Sequence, residues 1–397
     1  MAIAPGVVVV GAGAAGLSAA IQARRMGPDV TLVTDRALGR ANSTLAQGGL
    51  HLPIDRGSED RMIADMVASG GAEVSIERIT KYVRRVRPTI TELQQQGLAL
   101  DRSDNGELRM RIAGGMSEAR IVTAGDRIGP PVMKLLKRLA SDLDVEVLEN
   151  FSVEQVVRDG SRVLLQAQSG ELRSSSVVIA TGGTTWHHAQ RTGAMTSNPA
   201  NNNFLMTDQL TGLLGEVAET AFQWQPFGMA ESVDPTGVGK LVPESIVGFD
   251  LKILDRKGSS VVDPKSGRLA VTTAMHEAQR EGLALDGRNG NCGFLLTMSD
   301  IPVGELRRRY PNLHRRLKNQ DLLGQDLLIA PFLHYQLGGF ETGIAGETRV
   351  SGLFLAGEMT GGLHGQNRLM GNGLTESLVS GGRAGEAAAL HAMNSLS

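Results

Sequence analysis

The 397-residue chain has a single cysteine, Cys292. A disulfide within the chain is therefore impossible, and zinc sites or protein-borne iron–sulfur clusters built from thiolates are excluded with it. No metal site is expected, and redox chemistry would need an organic cofactor. Long apolar runs are missing too: nothing approaches the ~20 residues that cross a bilayer, so no membrane span is expected. Net charge is nearly absent, with Lys+Arg 40 against Asp+Glu 42, and that balance does not suit a polyanion partner such as nucleic acid. Proline is sparse, 14 residues with no Gly-x-y period, which removes collagen. Met1 to Val10 is apolar but lacks a basic n-region and a cleavage site, so it reads as a strand rather than a signal peptide. The cytoplasm is the expected compartment.

Glycine is what the chain has in excess: 50 residues, nearly twice the ~7% of average usage. With 41% hydrophobic and 21% charged residues, the chain can fill a core, and its length allows two or three domains or one large one with an insertion. The glycines are placed rather than scattered. Val7-Val8-Val9-Val10 is a β-branched run of the kind buried on both faces of a parallel sheet, and Gly11-Ala-Gly13-Ala14-Ala15-Gly16 follows it directly. A small-residue helix from Leu17 to Met26 and a second strand, Val30 to Thr34, complete a βαβ unit. In such a unit the first glycine makes the tight turn, the second admits a pyrophosphate and the third lets helix and strand touch, with the helix N-terminus facing the phosphates. Either Thr34 or Asp35 is placed to meet a ribose, Asp35 lying close to the ~20 residues beyond the last glycine that such a carboxylate usually shows. The unit predicts dinucleotide binding without deciding between NAD and FAD.

Asn42-Ser43-Thr44-Leu-Ala-Gln47-Gly48-Gly49 is polar and glycine-ended, suited to wrapping a ligand. Helices are expected at about 59–69, 76–96 with a kink at Pro88, and 131–142. Strands follow at 145–148, 153–157 and 162–168, and Val177-Val-Ile-Ala-Thr181-Gly182-Gly183 is another buried strand ending in glycines. From about 228 to 330 proline, glycine and charge are scattered, as in an inserted domain. There Lys252 to Lys257 reads as a turn, and the basic helix near Gly304 to Lys318, with Arg307, Arg308, Arg309, Arg315 and Arg316, reads as a solvated face. Near the C-terminal end, Gly352-Leu-Phe-Leu-Ala-Gly-Glu358 delivers a carboxylate that can accept from a ribityl chain. A glycine-rich stretch from Gly361 leads into a small-residue helix reaching about Ala389, whose N-terminus would stabilise negative charge on a reduced flavin pyrimidine. That combination favours a flavin over nicotinamide.

Ser43-Thr-Leu-Ala-Gln-Gly-Gly49, Ala356-Gly-Glu358, Leu363-His-Gly-Gln-Asn-Arg-Leu369 and Asn372-Gly-Leu-Thr-Glu376 resemble the fumarate reductase, succinate dehydrogenase and L-aspartate oxidase flavoprotein family over nearly the whole chain. The spacing of Tyr310-Pro, His334-Tyr-Gln-Leu-Gly-Gly339 and Thr360-Gly-Gly-Leu-His-Gly is most like the aspartate oxidase branch, without the C-terminal helical domain of those oxidases. The resemblance implies an α/β fold in which a Rossmann-type FAD-binding domain, 1–222 with 333–397, carries an inserted α+β capping or substrate domain, 223–332. It implies FAD held by residues 11–16, Thr34 or Asp35, 42–49, Thr181, Gly182, Asn203, Glu358, Gly373 and Leu374. Asn42 stands where membrane-bound relatives carry the flavin-linking histidine, so the FAD is expected to be noncovalent.

By the same resemblance, the substrate is a small carboxylate. Arg368 would clamp its carboxylate, His334 and His364 would bind it, and Arg268, with Glu244, would deliver or remove a proton. The departures cluster on this side. Gln225 takes the place of a second substrate histidine, Pro243 that of a threonine, Leu269 that of the aspartate in Arg-Asp, and Ala113 that of a common glutamate, whereas on the cofactor side the acidic residue of Gly-Asp-Gly is replaced near Asn203. The expected reaction is hydride transfer between flavin N5 and a carbon adjacent to a carboxylate, most like amino-acid oxidation to the imino acid. Alternatives are fumarate reductase-like reduction or dehydrogenation of a C–C bond, and a flavin-binding electron-transfer protein whose relay has decayed. The electron acceptor is left open among oxygen, fumarate and a redox protein.

Overall fold

The computed structural model describes residues 2–3, 6–201, 203–215, 217 and 221–395. Its centre is a five-stranded parallel sheet in the order 353–355, 176–179, 7–10, 30–34, 146–149. Val7–Val10 lies in the middle and is buried at all four positions. Val7 and Val9 pack into one core with the helices Ala14–Arg25 and Gly129–Asp142, while Val8 and Val10 pack into a second core with Val163, Leu165 and Leu353. Both faces are covered, so the alternation that marks a half-exposed strand is missing from the sequence. Each fully buried valine contributes roughly 1.5–3 kcal/mol, which makes this strand the natural keel of the sheet.

The expected strand over residues 1–10 is two strands. Ala2–Ile3 pairs in parallel with Leu172–Arg173 at the edge of an antiparallel sheet built from 153–159, 162–167 and 170–174, not with the central sheet. Met1, Ala4 and Pro5 lie outside the described residues. The helices come close to expectation: Arg56–Gly70 starts with Asp55 capping the Ser58 N–H at 2.7 Å, and Ile76–Gln95 starts with Ser75 capping that of Arg78. The second helix continues through Pro88.

Residues 222–336 supply a separate, antiparallel sheet. Phe222–Met229 pairs with the long strand Leu327–Gln336, which pairs with Cys292–Leu296, then Ile253–Leu254 and Ser260–Val262. Lys252 to Lys257, expected as a turn, therefore splits into a short strand and a tight turn in which Asp255 accepts from the N–H groups of Lys257 and Ser259. The sheet has its own core, with Phe227, Ile253, Met275, Phe294 and Leu313. The basic helix is two helices, Val303–Arg309 and Pro311–Asn319. Pro311 lacks an N–H to continue the first but suits the opening turn of the second. No helix among the described residues is long and apolar enough to cross a membrane.

Candidate active site

The carboxyl ends of four parallel strands border one cleft. Gly11 follows Val10, Thr34 and Asp35 end the second strand, Ala180 to Gly182 follow Ile179, and Ala356 to Glu358 follow Leu355. The 7–10 strand is flanked on one side by the strand that follows it and on the other by a much later one. Such a switch point is where open α/β sheets bind their ligands. Two of the glycines are fixed by contact. A Cβ on Gly11 would lie 2.4 Å from the Ala180 oxygen, and one on Gly16 would lie 1.7 Å from the Gly11 oxygen. Gly13 is different, its nearest neighbour being Ser43 Oγ at 3.4 Å, so the smooth backbone there faces the cleft.

The segment after Ala41 forms a short helix, Asn42–Leu45, laid across the start of the first long helix. Ala14 N–H donates to Ser43 Oγ at 3.0 Å, and Asn42 Nδ2 donates to Asn198 Oδ1. Thr44 does not border the cleft; its hydroxyl donates to the Gly39 carbonyl at 2.6 Å and closes the loop. Asp35 is held by Arg36, with Nη2 at 2.9 Å, and both border the cleft. Asn203 Nδ2 donates to Gly183 O at 3.2 Å, which places Asn203 against the Thr181–Gly182 turn. Thr181 Oγ1 is buried there with no hydrogen-bond partner.

Asn42, Ser43, Glu358 and Ser377 also border a second cavity, so the two spaces join. Gln47, Gly48, Gly49, Gly373 and Leu374 line this inner part. A flavin dinucleotide fits the combined channel. The glycine cradle leaves backbone open beside a helix N-terminus, Thr181 Oγ1 awaits a partner, and Glu358 is half-buried with capacity to spare. Glu358 Oε1 accepts from Gln336 N–H at 2.9 Å, and burial raises its pKa to about 7 against the opposing pull of that N–H and of Arg368.

His334, Arg368, Arg268, Glu244 and Gln225 converge on the inner cavity. His334 comes from the long strand Leu327–Gln336, its Nδ1 lying 2.7 Å from Ser197 Oγ and its carbonyl accepting from Asn198 Nδ2 at 2.8 Å. Burial, with Arg368 and Arg268 nearby, holds its pKa well below the usual histidine value, so the imidazole is neutral. Arg368 lies 4.2 Å over the centroid of the Tyr335 ring. Burial and Arg268 bring its pKa down to about 10, which leaves it charged at neutral pH. Tyr335 donates to Glu376 Oε2 at 3.0 Å. His364 packs edge-on against Tyr335, 4.0 Å from Glu376, and does not border the cavity.

Arg268 opens the helix Arg268–Arg280 just after Gly267, whose φ is +90°. It donates to Glu244 Oε2 at 2.5 Å and to Gln223 Oε1 at 2.6 Å, and Gln225 Nε2 reaches the same Glu244 oxygen at 3.3 Å. Gln223 Nε2 in turn donates to Arg368 O at 3.0 Å, tying the two arginine-bearing segments together. Three buried polar atoms of this cluster have no partner: Arg268 Nε, Arg368 Nε and Gln225 Oε1.

Several contributors lie beyond the residues that the sequence singles out. Gln223 was legible, since it stands two residues from Gln225 on one strand and shares its face. Ser197, Asn198 and Tyr335 carry no local signal and are recognised only through their contacts. The Arg307–Lys318 run is solvated at Arg307, Arg308, Arg315 and Lys318, but Arg309 stacks 4.2 Å from the Phe249 centroid and Arg316 turns inward to border the cavity. The physical reason is helical phase: Arg316 follows Leu313 by three positions, and Leu313 and Leu317 are buried.

A family model described as the FAD binding domain matches residues 6–374. An L-aspartate oxidase of Mycobacterium tuberculosis is 33% identical, the match covering 97% of this chain and 74% of that protein. The 8-methylmenaquinol:fumarate reductase flavoprotein of Wolinella succinogenes is 29% identical over 96% of this chain and 65% of its own length. Among solved structures, the FrdA chain of E. coli quinol fumarate reductase superposes with a TM-score of 0.86 at 24% identity, covering 98% of this chain and 70% of that one, a likeness of fold.

Proposed function

The chain belongs to the FAD binding domain family and is an FAD-dependent oxidoreductase, and from that premise we propose that its substrate is a small carboxylic acid oxidised in the manner of an L-aspartate oxidase, amino acid to imino acid. The observation that carries this reading is the trio of unpartnered buried atoms, Arg268 Nε, Arg368 Nε and Gln225 Oε1. Leaving a buried polar group unsatisfied costs about 1–3 kcal/mol, and an acid bearing carboxylate oxygens and an N–H donor would satisfy all three. Residues 223–332 then act as the capping domain over an FAD-binding domain made of 1–222 and 333–397.

FAD, when bound, supplies the hydride acceptor. Arg368, kept flat on Tyr335, clamps the carboxylate. Neutral His334, fixed by Ser197, offers a hydrogen bond without a second positive charge. A ligand seated there displaces water from the cavity, which strengthens these interactions. The amine loses its N–H proton and the neighbouring carbon its hydride. Arg268 and Glu244 hold the proton-handling position, in the dry surroundings that a guanidinium needs for that role.

A second reading, interconversion of a C–C single and double bond beside a carboxylate, is favoured by the tight Arg268–Glu244 pair, since that chemistry requires a proton at carbon and amine oxidation does not. The test for both is anaerobic flavin absorbance with a panel of amino and dicarboxylic acids. Bleaching by L-aspartate supports the first reading, bleaching by succinate or turnover of fumarate the second. Reduction only by a protein partner overturns both in favour of electron transfer.

A further inference from the structure

We infer that Arg127, Arg316 and Lys240 form an outer anion-binding subsite in the inner cavity, one that takes a second, separate anionic group of an extended acid. All three border the same cavity as Arg368. Arg127 comes from the loop before the helix Gly129–Asp142, Arg316 from the helix Pro311–Asn319, and Lys240 from the segment leading out of Gly239. The partners that the two arginines find among the described residues are main-chain carbonyls. Arg127 Nη2 donates to Thr44 O at 3.3 Å, and Arg316 Nη1 donates to Leu241 O at 2.7 Å. Arg127 Nε is buried with no partner. The adjacent carboxylate, Asp126, is committed elsewhere: it accepts from Asn312 N–H at 2.9 Å, from Asn312 Nδ2 at 2.5 Å and from Leu313 N–H at 3.1 Å, capping the helix that carries Arg316.

Two basic groups carried by different segments thus border the cavity, Arg368 with Arg268 and Arg316 with Arg127. Arg368 feels the charges of Arg268, Glu358 and Glu244, whereas Arg316 feels those of Arg127 and Asp126. The inner group has its own carboxylates. The outer group has two mutually repelling guanidiniums and one lysine against one carboxylate, Asp126, whose oxygens already take three N–H donors. An anion bridging Arg127 and Arg316 would relieve that repulsion with charge-assisted hydrogen bonds. A diacid whose two carboxylates are both taken by the group around Arg368 leaves this outer group without an anion. The fitting class is an acid with a further carboxylate or a phosphate beyond the reacting carbon. The substrate class rests on the function proposed above; the anion site does not.

The experiment measures flavin absorbance changes of the holoprotein on titration with succinate, tricarballylate and 3-phosphoglycerate, for wild type and for Arg127→Gln/Arg316→Gln. Tighter binding of one extended acid than of succinate in wild type is expected, together with a loss of roughly tenfold or more for that acid in the variant and less than about twofold for succinate. Whichever extended acid shows the loss distinguishes carboxylate from phosphate. Equal losses for all three, or no preference for an extended acid, overturn the proposal. Because the double variant could fail to fold, a second measurement uses wild-type holoprotein: modification of Arg127 and Arg316 by phenylglyoxal, read by peptide mass, with and without each acid. Protection by an extended acid and not by succinate supports the subsite, and absence of protection overturns it. Protection without any bleaching of the flavin by any acid would remove the proposed function and leave the anion site standing.

Discussion

Replacing Glu244 by glutamine separates proton handling from carboxylate binding. Glu244 accepts from Arg268 Nη2 at 2.5 Å and from Gln225 Nε2 at 3.3 Å, and the exposures of the pair are 8% for Arg268 and 16% for Glu244. Breaking a buried pair by deleting one partner costs ~3–5 kcal/mol. A carboxamide keeps one acceptor for Arg268, and Gln223 Oε1 keeps another at 2.6 Å, so the loss in stability should be smaller, about 1–3 kcal/mol. Glu244 also acts on Arg368, raising its pKa, and must therefore repel a carboxylate held there. Two unit charges ~6–10 Å apart at an effective dielectric constant near 20 interact by roughly 2–3 kcal/mol before screening. Allowing for screening, a carboxylate ligand should bind about fivefold tighter to Glu244→Gln. Turnover of an enoate should nevertheless fall by the ~10²–10⁴-fold that a positioned acid–base group supplies. Stopped-flow flavin oxidation with fumarate, alongside equilibrium titration with an unreactive diacid, reads both quantities. Weaker ligand binding together with unchanged enoate turnover would refute the assignment. If the reaction is amine oxidation, turnover with L-aspartate should drop far less.

Arg368→Lys keeps the charge but loses the planar fork that stacks on Tyr335. Carboxylate affinity should fall by at least tenfold in a binding titration, and an unchanged value removes Arg368 from the site. Gly13→Ala and Gly16→Ala should part company: Gly13 has only a 3.4 Å neighbour, Gly16 a 1.7 Å clash with backbone. The first should fold with a near-normal melting temperature yet lose FAD, the second should fail to fold, and equal melting temperatures would contradict the geometry. Burial raises both Glu358 and Glu376 from 4.5 to about 7. A carboxyl group with a raised folded pKa contributes stability that is complete below ~4.5 and lost as pH rises through 7, on the order of 3 kcal/mol or less for each. FAD-free protein should therefore be less stable at pH 8 than at pH 5 by this contribution, and Glu358→Gln/Glu376→Gln should flatten the melting profile over that range; an unaltered slope refutes the assignment.

The cofactor side was legible because local sequence and tertiary role coincide there. Val7–Val10, the glycines that follow and the strand ending at Thr34 form a contiguous unit, and each glycine's place follows from backbone contact. The split of the first ten residues was not legible, since Ala2–Ile3 joins a sheet whose other strands lie 150 residues or more later, and nothing local encodes that pairing. The substrate side was half legible. His334, Arg368, Arg268, Glu244 and Gln225, the residues to which the resemblance pointed, border one cavity, whereas His364 sits against Tyr335 outside it. Arg316 escapes a sequence reading because a run of arginines looks uniform until helical phase decides which one turns inward.

The helix Asn372–Asn394 presses two glycines, Gly381 and Gly385, onto the backbone of the first helix, where a Cβ on either would come within 2.1 Å of the Ala15 or Ala19 oxygen. The strand Leu353–Leu355 likewise pairs with Val177–Ile179, the immediate neighbour of Val7–Val10. Some 340 residues therefore separate the first half of the central unit from the last pieces that pack on it. At translation speeds of ~5–20 residues per second, the nascent Val7–Val10 strand and its glycine turn wait roughly 20–70 s before their last neighbours are made. During that interval the strand Val30–Thr34 and the helices Ala14–Arg25 and Gly129–Asp142 are already available to it, and what is missing is the flank that 176–179, 353–355 and the last helix complete. Cofactor loading is then a late step, because Ala356 to Glu358, Gly373 and Leu374, which border the site, are made long after the glycine turn that they face.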